Sequence, residues 1–498
     1  MSTLLEPNTP SASPDLPKPT PSVTEPQRRG SWFSAFWRWH FYASFLVIPI
    51  LAMLAVTGLI YLFRFQIEPA LHPNLMRVDA PAGAPLQSYD SQLVAVRAAL
   101  EADGLADATV ASMTEPATPT SPTRFTVALP DESSRDYFVD PYRGEVLGSL
   151  NPDTTLSGGA VRLHADLMTG AWGDYVIEVA SCWAIVMALT GYYLAVKGRR
   201  ARRRVVQKAR AARAAGVPGA AVAAQHARNR QWHALSGAGV GVGLLGMLVT
   251  GLPWTGFWGE KAQVLATQNG TSFWSLDHGA ASKPTSTLDE SLPHSHARDI
   301  PWALGKNEQP ASAPTTSGNV ANPDTAVVVA TREGLSRPLT IVLPKGDEGV
   351  FSAISYAFND PAKEKTVHID QYGGQVVATY GYEQYPLLAK TVARGIALHE
   401  GRHFGTLNMI VSAGFCVLVL FMCVSGPLMW WRRRPKNGTL GAPRAKMPLK
   451  ATPLLAIPVA ALAVFLPLFG LSLVAVLLLD QLLLRRATPL RRWFNVKP

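Results

Sequence analysis

Apolar positions gather in five runs along the chain, 41–63, 175–196, 234–253, 408–430 and 454–479, each nearly free of charge. Each is about 20 residues long, the length of α-helix that crosses a hydrocarbon core of about 30 Å. Between the runs the pattern changes. Over Ser91–Ala102, the residues Leu93, Val94, Val96, Ala99 and Leu100 recur at helical spacing. Strand-like stretches follow at Arg124–Leu129, Arg135–Val139 and Glu145–Leu147, the last two joined around the turn Asp140-Pro141-Tyr142-Arg143-Gly144. After the third run, a polar stretch from Ala280 to Asn322 reads as loop. Strands are then expected at Ala326–Ala330, Leu339–Leu343, Phe351–Phe358 and Thr366–Ile369. The turn Asp370-Gln371-Tyr372-Gly373-Gly374 leads into another at Gln375–Tyr380.

The pattern predicts a polytopic α-helical membrane protein with two small external α+β domains. Its divisions are a disordered cytoplasmic tail over 1–37, spans at 38–63, 175–196, 232–253 and 408–431, and external domains at 64–174 and 254–407. A basic loop at 197–231 and a second loop at 432–453 lie on the cytoplasmic side, and a basic tail fills 485–498. Pro458 and Pro467 interrupt the fifth apolar stretch, 454–484, which is either a kinked span or a re-entrant segment. We favour the kinked span.

Composition agrees with that class. Charged residues make up 16% of the 498-residue chain, below the roughly 25% of soluble domains. The net charge of +11 raises the question of nucleic acid, but its placement answers otherwise. Basic residues crowd beside the spans: Lys197, Arg199, Arg200, Arg202, Arg203 and Arg204 after the second, and Arg432, Arg433, Arg434 and Lys436 after the fourth. Such clusters stay on the cytoplasmic side during insertion. With Arg28, Arg29 and Arg38 they put the N-terminus inside and the two long segments outside, in the periplasm of a bacterial inner-membrane protein. The loop 197–231, rich in Ala, Arg and Lys, is expected to be helical and to face anionic lipid head groups. The Pro-, Ser- and Thr-rich first 27 residues lack the apolar core of a signal peptide, which makes the first span an uncleaved anchor. Cys182, Cys416 and Cys423 all fall inside spans and form no CxxCH, so neither a disulfide framework nor covalent haem attachment is expected.

A doubled motif carries the chemistry. Trp39-His40 opens a run that reaches Thr57-Gly58, and Trp232-His233 opens one that reaches Thr250-Gly251, with the same offset from histidine to threonine. Leu163-His164 leads to Thr190-Gly191 and Leu398-His399 to Ser425-Gly426, again at equal offsets. Asp140, Tyr142, Gly144 and Val146 are matched by Asp370, Tyr372, Gly374 and Val376. The chain therefore reads as an internal duplication.

An imidazole at the end of a membrane helix needs a partner, because an unsatisfied polar group in hydrocarbon costs several kcal/mol. Two histidines on facing helices can fill both axial positions of a haem, which closes the iron to oxygen and suits electron transfer. His40 and His233 form one natural pair at the cytoplasmic side, and His164 and His399 another at the external side. For each the bland reading is an interfacial or surface histidine without cofactor. The equal offsets weigh against it. His403, four residues after His399, is the alternative external ligand on the same helix face. Glycines Gly58, Gly191, Gly251 and Gly426 are expected to permit close approach of helices or of a flat porphyrin. Trp254, Phe257 and Trp258 either line an approach to the external site or anchor the interface. His294 and His296 form an HxH in a polar loop, a motif usually just solvated.

These features together resemble the PepSY-associated transmembrane family of iron-regulated membrane proteins: Trp39-His40 with Thr57-Gly58, Asp140-Pro141-Tyr142-Arg143-Gly144, Leu163-His164, Trp232-His233 with Thr250-Gly251, and Leu398-His399. The resemblance covers nearly the whole chain beyond the N-terminal tail. It implies PepSY-like external domains and an inner-membrane protein of the kind that includes haem-containing ferric-siderophore reductases.

The expected function is that of a b-type dihaem electron-transfer protein reducing ferric siderophore iron at the periplasmic face. Neither GxGxxG nor GxxxxGK[ST] is present, and no acidic pair lies within the spans. The donor is then a quinol or another cytoplasmic or membrane reductant. The rival readings are a PepSY module that binds peptides or regulates a peptidase without redox activity, and an importer of siderophore or metal.

Overall fold

The computed structural model describes residues 32–131, 133–272, 308–313, 320–355, 360–432, 434, 440, 452–484 and 486–494. The expected N-terminal tail up to residue 31, His294, His296, most of the polar loop and most of 432–453 lie outside the described residues.

Among these, four helices are long and apolar enough to cross a membrane. The first is α1 (Trp32–Leu62), followed by the short α2 (Arg64–Leu71) and α3 (Pro73–Met76). After α4 (Tyr89–Ala102) and α5 (Leu156–Asp166) comes the second long helix, α6 (Ala171–Lys197). The basic α7 (Arg199–Ala214) precedes the third, α8 (Ala220–Gly251), and α9 (Trp258–Gln268) follows it. The fourth, α12 (Thr406–Trp431), comes after α10 (Pro323–Arg332) and α11 (Leu387–His399). The helix α8 begins twelve residues before the span expected from hydropathy, because Gly216 and Gly219, with positive φ, break the basic loop only at their own turn.

The long helices form a four-sided bundle in which α1 packs on α6 and α12, and α8 packs on the same two. Its core alternates branched and small side chains: Val47, Leu51 and Ala55 of α1, Cys182 and Ala184 of α6, Val240 and Leu244 of α8, Cys416, Val419 and Cys423 of α12. Small residues suit helices that gain nothing from hydrophobic burial in lipid and hold together by close packing. All three cysteines are buried and free.

The fifth apolar run divides at Leu466 into α13 (Thr452–Phe465) and α14 (Pro467–Leu479), neither long enough alone to count as a span. Pro467 removes one helical amide, and Leu466 leaves helical geometry. Phe469 and Ser472 of α14 dock on Trp183 of α6, whose indole donates to Ser472 Oγ at 3.0 Å. A final short helix, α15 (Thr488–Trp493), ends the described chain.

Eight strands form one antiparallel sheet: β1 (Thr109–Thr114), β2 (Thr123–Ala128), β3 (Ser134–Val139), β4 (Val146–Leu150), β5 (Leu339–Val342), β6 (Val350–Ser355), β7 (Lys365–Asp370) and β8 (Val376–Gly381). Their order is β4-β3-β2-β1-β5-β6-β7-β8. The sequence suggested two separate α+β modules, whereas the two four-stranded meanders share one sheet through β1 and β5. Left unpaired, either strand would expose a row of free amides and carbonyls. The seam pairs Ser112 with Val342, Met113 with Ile341 and Thr114 with Thr340.

Helices α4 and α10 supply Leu93, Val96, Ala326 and Ala330 to a core against Phe125, Ile341 and Val367 of the sheet. Glu115, beyond the end of β1, accepts from Tyr89 Oη (2.8 Å), Arg337 Nε (2.9 Å) and the Leu339 amide (2.9 Å), which ties the halves together.

Two local readings need correction. Ala326–Ala330 is helix α10, not strand: Asn322 accepts from the Thr325 amide, Pro323 starts the first turn and Asp324 sits inside it. These start signals outweigh the β-branched run Val327-Val328-Val329. Strand β1 was missed because Thr-Val-Ala-Ser-Met-Thr shows no clean alternation. The two expected turns fold alike. Asp140 accepts from the Tyr142 amide and Asp370 from that of Tyr372, while Gly144 and Gly374 take φ of +72° and +69°.

Candidate cofactor site

Each of the four motif histidines rests on a motif glycine of its helix partner. His40 of α1 lies over Gly191 of α6, and His164 of α5 over Gly58 of α1. His233 of α8 lies over Gly426 of α12, and His399 of α11 over Gly251 of α8. A Cβ built on Gly191 would meet His40 Cε1 at 2.9 Å, and one on Gly251 would meet His399 Cε1 at 3.2 Å. The glycines are therefore notches for imidazoles, which narrows the sequence expectation of helix or porphyrin contact.

The hydroxyl beside each glycine is the other half of the arrangement. His164 Nδ1 lies 2.8 Å from Thr57 Oγ1, His399 Nδ1 3.0 Å from Thr250 Oγ1, and His233 Nδ1 3.3 Å from Ser425 Oγ. His40 Nδ1 instead donates to the carbonyl of Met187 at 2.9 Å. Thr57 and Thr250 spend their single hydroxyl proton on backbone carbonyls, Met53 and Gly246, at 2.9 Å. Their oxygens offer only lone pairs to the ring. A carbonyl can only accept, so Nδ1 carries the proton in His40, and hydroxyls that already donate to carbonyls favour the same tautomer in His164 and His399, with Nε2 keeping its lone pair. That is the tautomer a metal-binding histidine takes when its other nitrogen is hydrogen-bonded.

Short helices place the rings of His164 and His399. Thr155 caps α5 by accepting from the Gly158 amide, and Glu68 of α2 accepts from the Ser157 amide at 2.7 Å. At the end of α11, Arg402 is buried between Glu364 (3.3 Å) and Glu400, and Tyr61 of α1 donates to Glu400 at 3.4 Å. Set in this way, His164 and His399 face each other with ring centroids 6.4 Å apart and planes at 87°. Two metal–nitrogen bonds of about 2 Å plus the ring radii need roughly that separation. Burial pushes both imidazoles down to about 4, with His399 adding to the effect on His164, so both are neutral bases at neutral pH.

The structure brings these two together and does not do the same for the other pair. Among the described residues His40 and His233 share no ring contact, and each sits in the groove of its own helix pair. His403 is not on the face of His399. The helix ends at His399, Gly401 takes φ of +73°, and His403 falls in the turn before α12 with its ring 4.4 Å from that of Phe404. Among the described residues no group of three or more His, Cys, Asp or Glu is placed to hold a metal ion.

Sequence reasoning missed three things here. Trp254 packs its indole edgewise on His399 at 5.4 Å, whereas Trp258 donates to the Phe465 carbonyl and Phe257 meets Tyr175. The aromatic trio thus divides between site and anchor. Asp174, just before the expected span, and Glu178 within it form an acidic pair on α6, which begins at Ala171. They accept from the amides of Gly256, Phe257 and Trp258 at the start of α9, where carboxylates satisfy unpaired helix amides. The exchange of partners between motifs, each histidine reading the glycine of the other, had no signal in the spacing.

The family described as the PepSY-associated TM region matches residues 37–433. The chain belongs to this family. Its match takes in all four motif histidines, the sheet, three of the long helices and α1 from residue 37 onward, and excludes α13, α14 and α15. No curated protein matches the chain. The PepSY-associated region is thus a multi-pass membrane unit of helices and antiparallel sheet, with histidines repeated at both ends of the bundle.

Proposed function

We propose that this protein is an inner-membrane electron carrier with two b-type haems, which reduces ferric siderophore iron at the periplasmic face. The observation that carries the reading is the facing pair His164 and His399, 6.4 Å apart between ring centroids, each with Nδ1 at a threonine hydroxyl. Two imidazoles give a metal two ligands, and a porphyrin supplies the rest. When bound, haem would supply a reversible one-electron couple closed to oxygen.

The chain's own residues hold, orient and shield. His164 and His399 would hold the outer group, and His40 and His233 the inner. Glycine notches seat the rings, threonine hydroxyls and carbonyls fix their tautomers, and the apolar bundle core keeps water from the path between. One electron converts Fe(III) to Fe(II), and a hard cation losing charge is gripped less tightly by siderophore oxygens. A quinol gives two electrons and two protons, or another cytoplasmic or membrane reductant serves as donor.

Orientation follows the basic clusters. Those after α6 and α12 keep these ends and the N-terminus cytoplasmic, so the sheet domain lies in the periplasm. The matched turns, matched histidine seats and mirrored strand order support an ancestral duplication of helix pair and PepSY-like module. The test is oriented vesicles, chemically reduced, given an impermeant ferric siderophore on one side at a time with an Fe(II) chelator. Chelated Fe(II) is expected only with substrate on the sheet-domain side. Equal yield from both sides, or none, contradicts the reading.

A further inference from the structure

Four hydroxyl-glycine pairs look interchangeable along the chain, yet they contact their histidines differently. Thr57 and Thr250 reach the outer rings at 2.8 and 3.0 Å. Thr190 occupies the same motif position beside Gly191 but donates to the carbonyls of Val186 and Met187, and His40 bonds that Met187 carbonyl instead of the hydroxyl. The outer pair of rings is thus held by two hydroxyl oxygens, and His40 by backbone alone.

We propose that Thr57 and Thr250 are positioning residues that tune the outer site, and that Thr190 has no such part at the inner one. The proposal rests on the haem reading above. An acceptor on Nδ1–H draws negative charge onto the ring and raises the basicity of Nε2. A more basic ligand favours the ferric form and lowers the reduction potential, one of the levers by which a protein sets that potential. Loss of the hydroxyl weakens this donation at one ring and leaves the other unchanged. The hydroxyl also orients the ring, since it lies within hydrogen-bond distance of Nδ1.

The experiment is a spectroscopic redox titration of the purified full chain, wild type against T57V, T57S, T250V, T250S and T190V. H40A and H399A assign the two components. The valine variants at 57 and 250 are expected to raise the midpoint of the outer component alone. Serine at either position should restore the wild-type value, and T190V should move neither component. If a valine variant loses the outer component while its serine counterpart keeps it, the hydroxyl is still the determinant. Unchanged midpoints in T57V and T250V, a T190V shift as large as theirs, or loss in both valine and serine variants would overturn the proposal. A wild-type protein with no haem bands overturns the parent reading instead, so the two failures are told apart.

Discussion

The imidazoles of His164 and His399 stand 6.4 Å apart at their centroids, nearly perpendicular, although 235 positions of sequence numbering separate them. Each comes from a short helix, and each is fastened to a threonine of a long helix. On the proposed reading both rings would hold one haem, so H164A and H399A should each halve the haem bound per chain. H40A and H233A should remove the other half. Haem per protein by pyridine haemochrome measures this, and unchanged content in all four variants contradicts the ligand assignment.

Glycine substitutions separate the notches by their clearance. At Gly191 a Cβ would lie 2.9 Å from His40 Cε1 and 3.2 Å from its Nδ1, closer than a packed ring tolerates. At Gly58 the nearest atom is Cys416 Sγ at 3.7 Å, and at Gly246 nothing lies within 4 Å. G191A should therefore lose inner haem, whereas G58A and G246A keep both and gain about 0.5–1 kcal/mol in helix stability. Retention of full haem by G191A contradicts the notch.

Glu364 gives a pH signature away from the spans. Burial pushes its carboxyl up to about 7 against the pull of Arg402. A raised carboxyl pKa means that the folded state binds the proton more tightly than the unfolded. Its contribution to stability is complete below about 4.5 and is lost as pH rises through about 7. Thermal unfolding from pH 4.5 to 8 should show that decline in the wild type and a flatter profile in E364Q. Equal slopes contradict the assignment.

Glu115 joins the two halves of the sheet. E115A leaves the Tyr89 hydroxyl and the Leu339 amide without their acceptor and releases Arg337. A loss of about 2 kcal/mol or more is expected, since buried donors left unsatisfied cost about 1–3 kcal/mol each. Denaturant unfolding followed by tryptophan fluorescence measures it, and a change within about 0.5 kcal/mol, as at an ordinary surface site, contradicts the role.

Much of this was legible in the chain. Hydropathy located the long helices because lipid demands internally satisfied backbone over a fixed length. The Asp-x-Tyr-x-Gly turns were legible because Asp140 and Asp370 act within their own loops, on amides two residues away. The union of β1 with β5 was not, since edge pairing joins residues such as Met113 and Ile341 that no local pattern relates. Nor was the departure of His403 from its neighbour's face, which hangs on Gly401 adopting positive φ. Equal spacing identified the four histidines as a set, but which glycine each would use depended on how the helices crossed.

The central claim is that the chain carries two haems, each held by two histidines. The most direct measurement is a reduced-minus-oxidised absorption spectrum of the purified, monodisperse protein, with haem counted per chain. The account predicts a split α band on dithionite reduction and about two haems per chain, the pairs of imidazoles closing both irons to added carbon monoxide. A colourless protein that is fully folded by circular dichroism would contradict it.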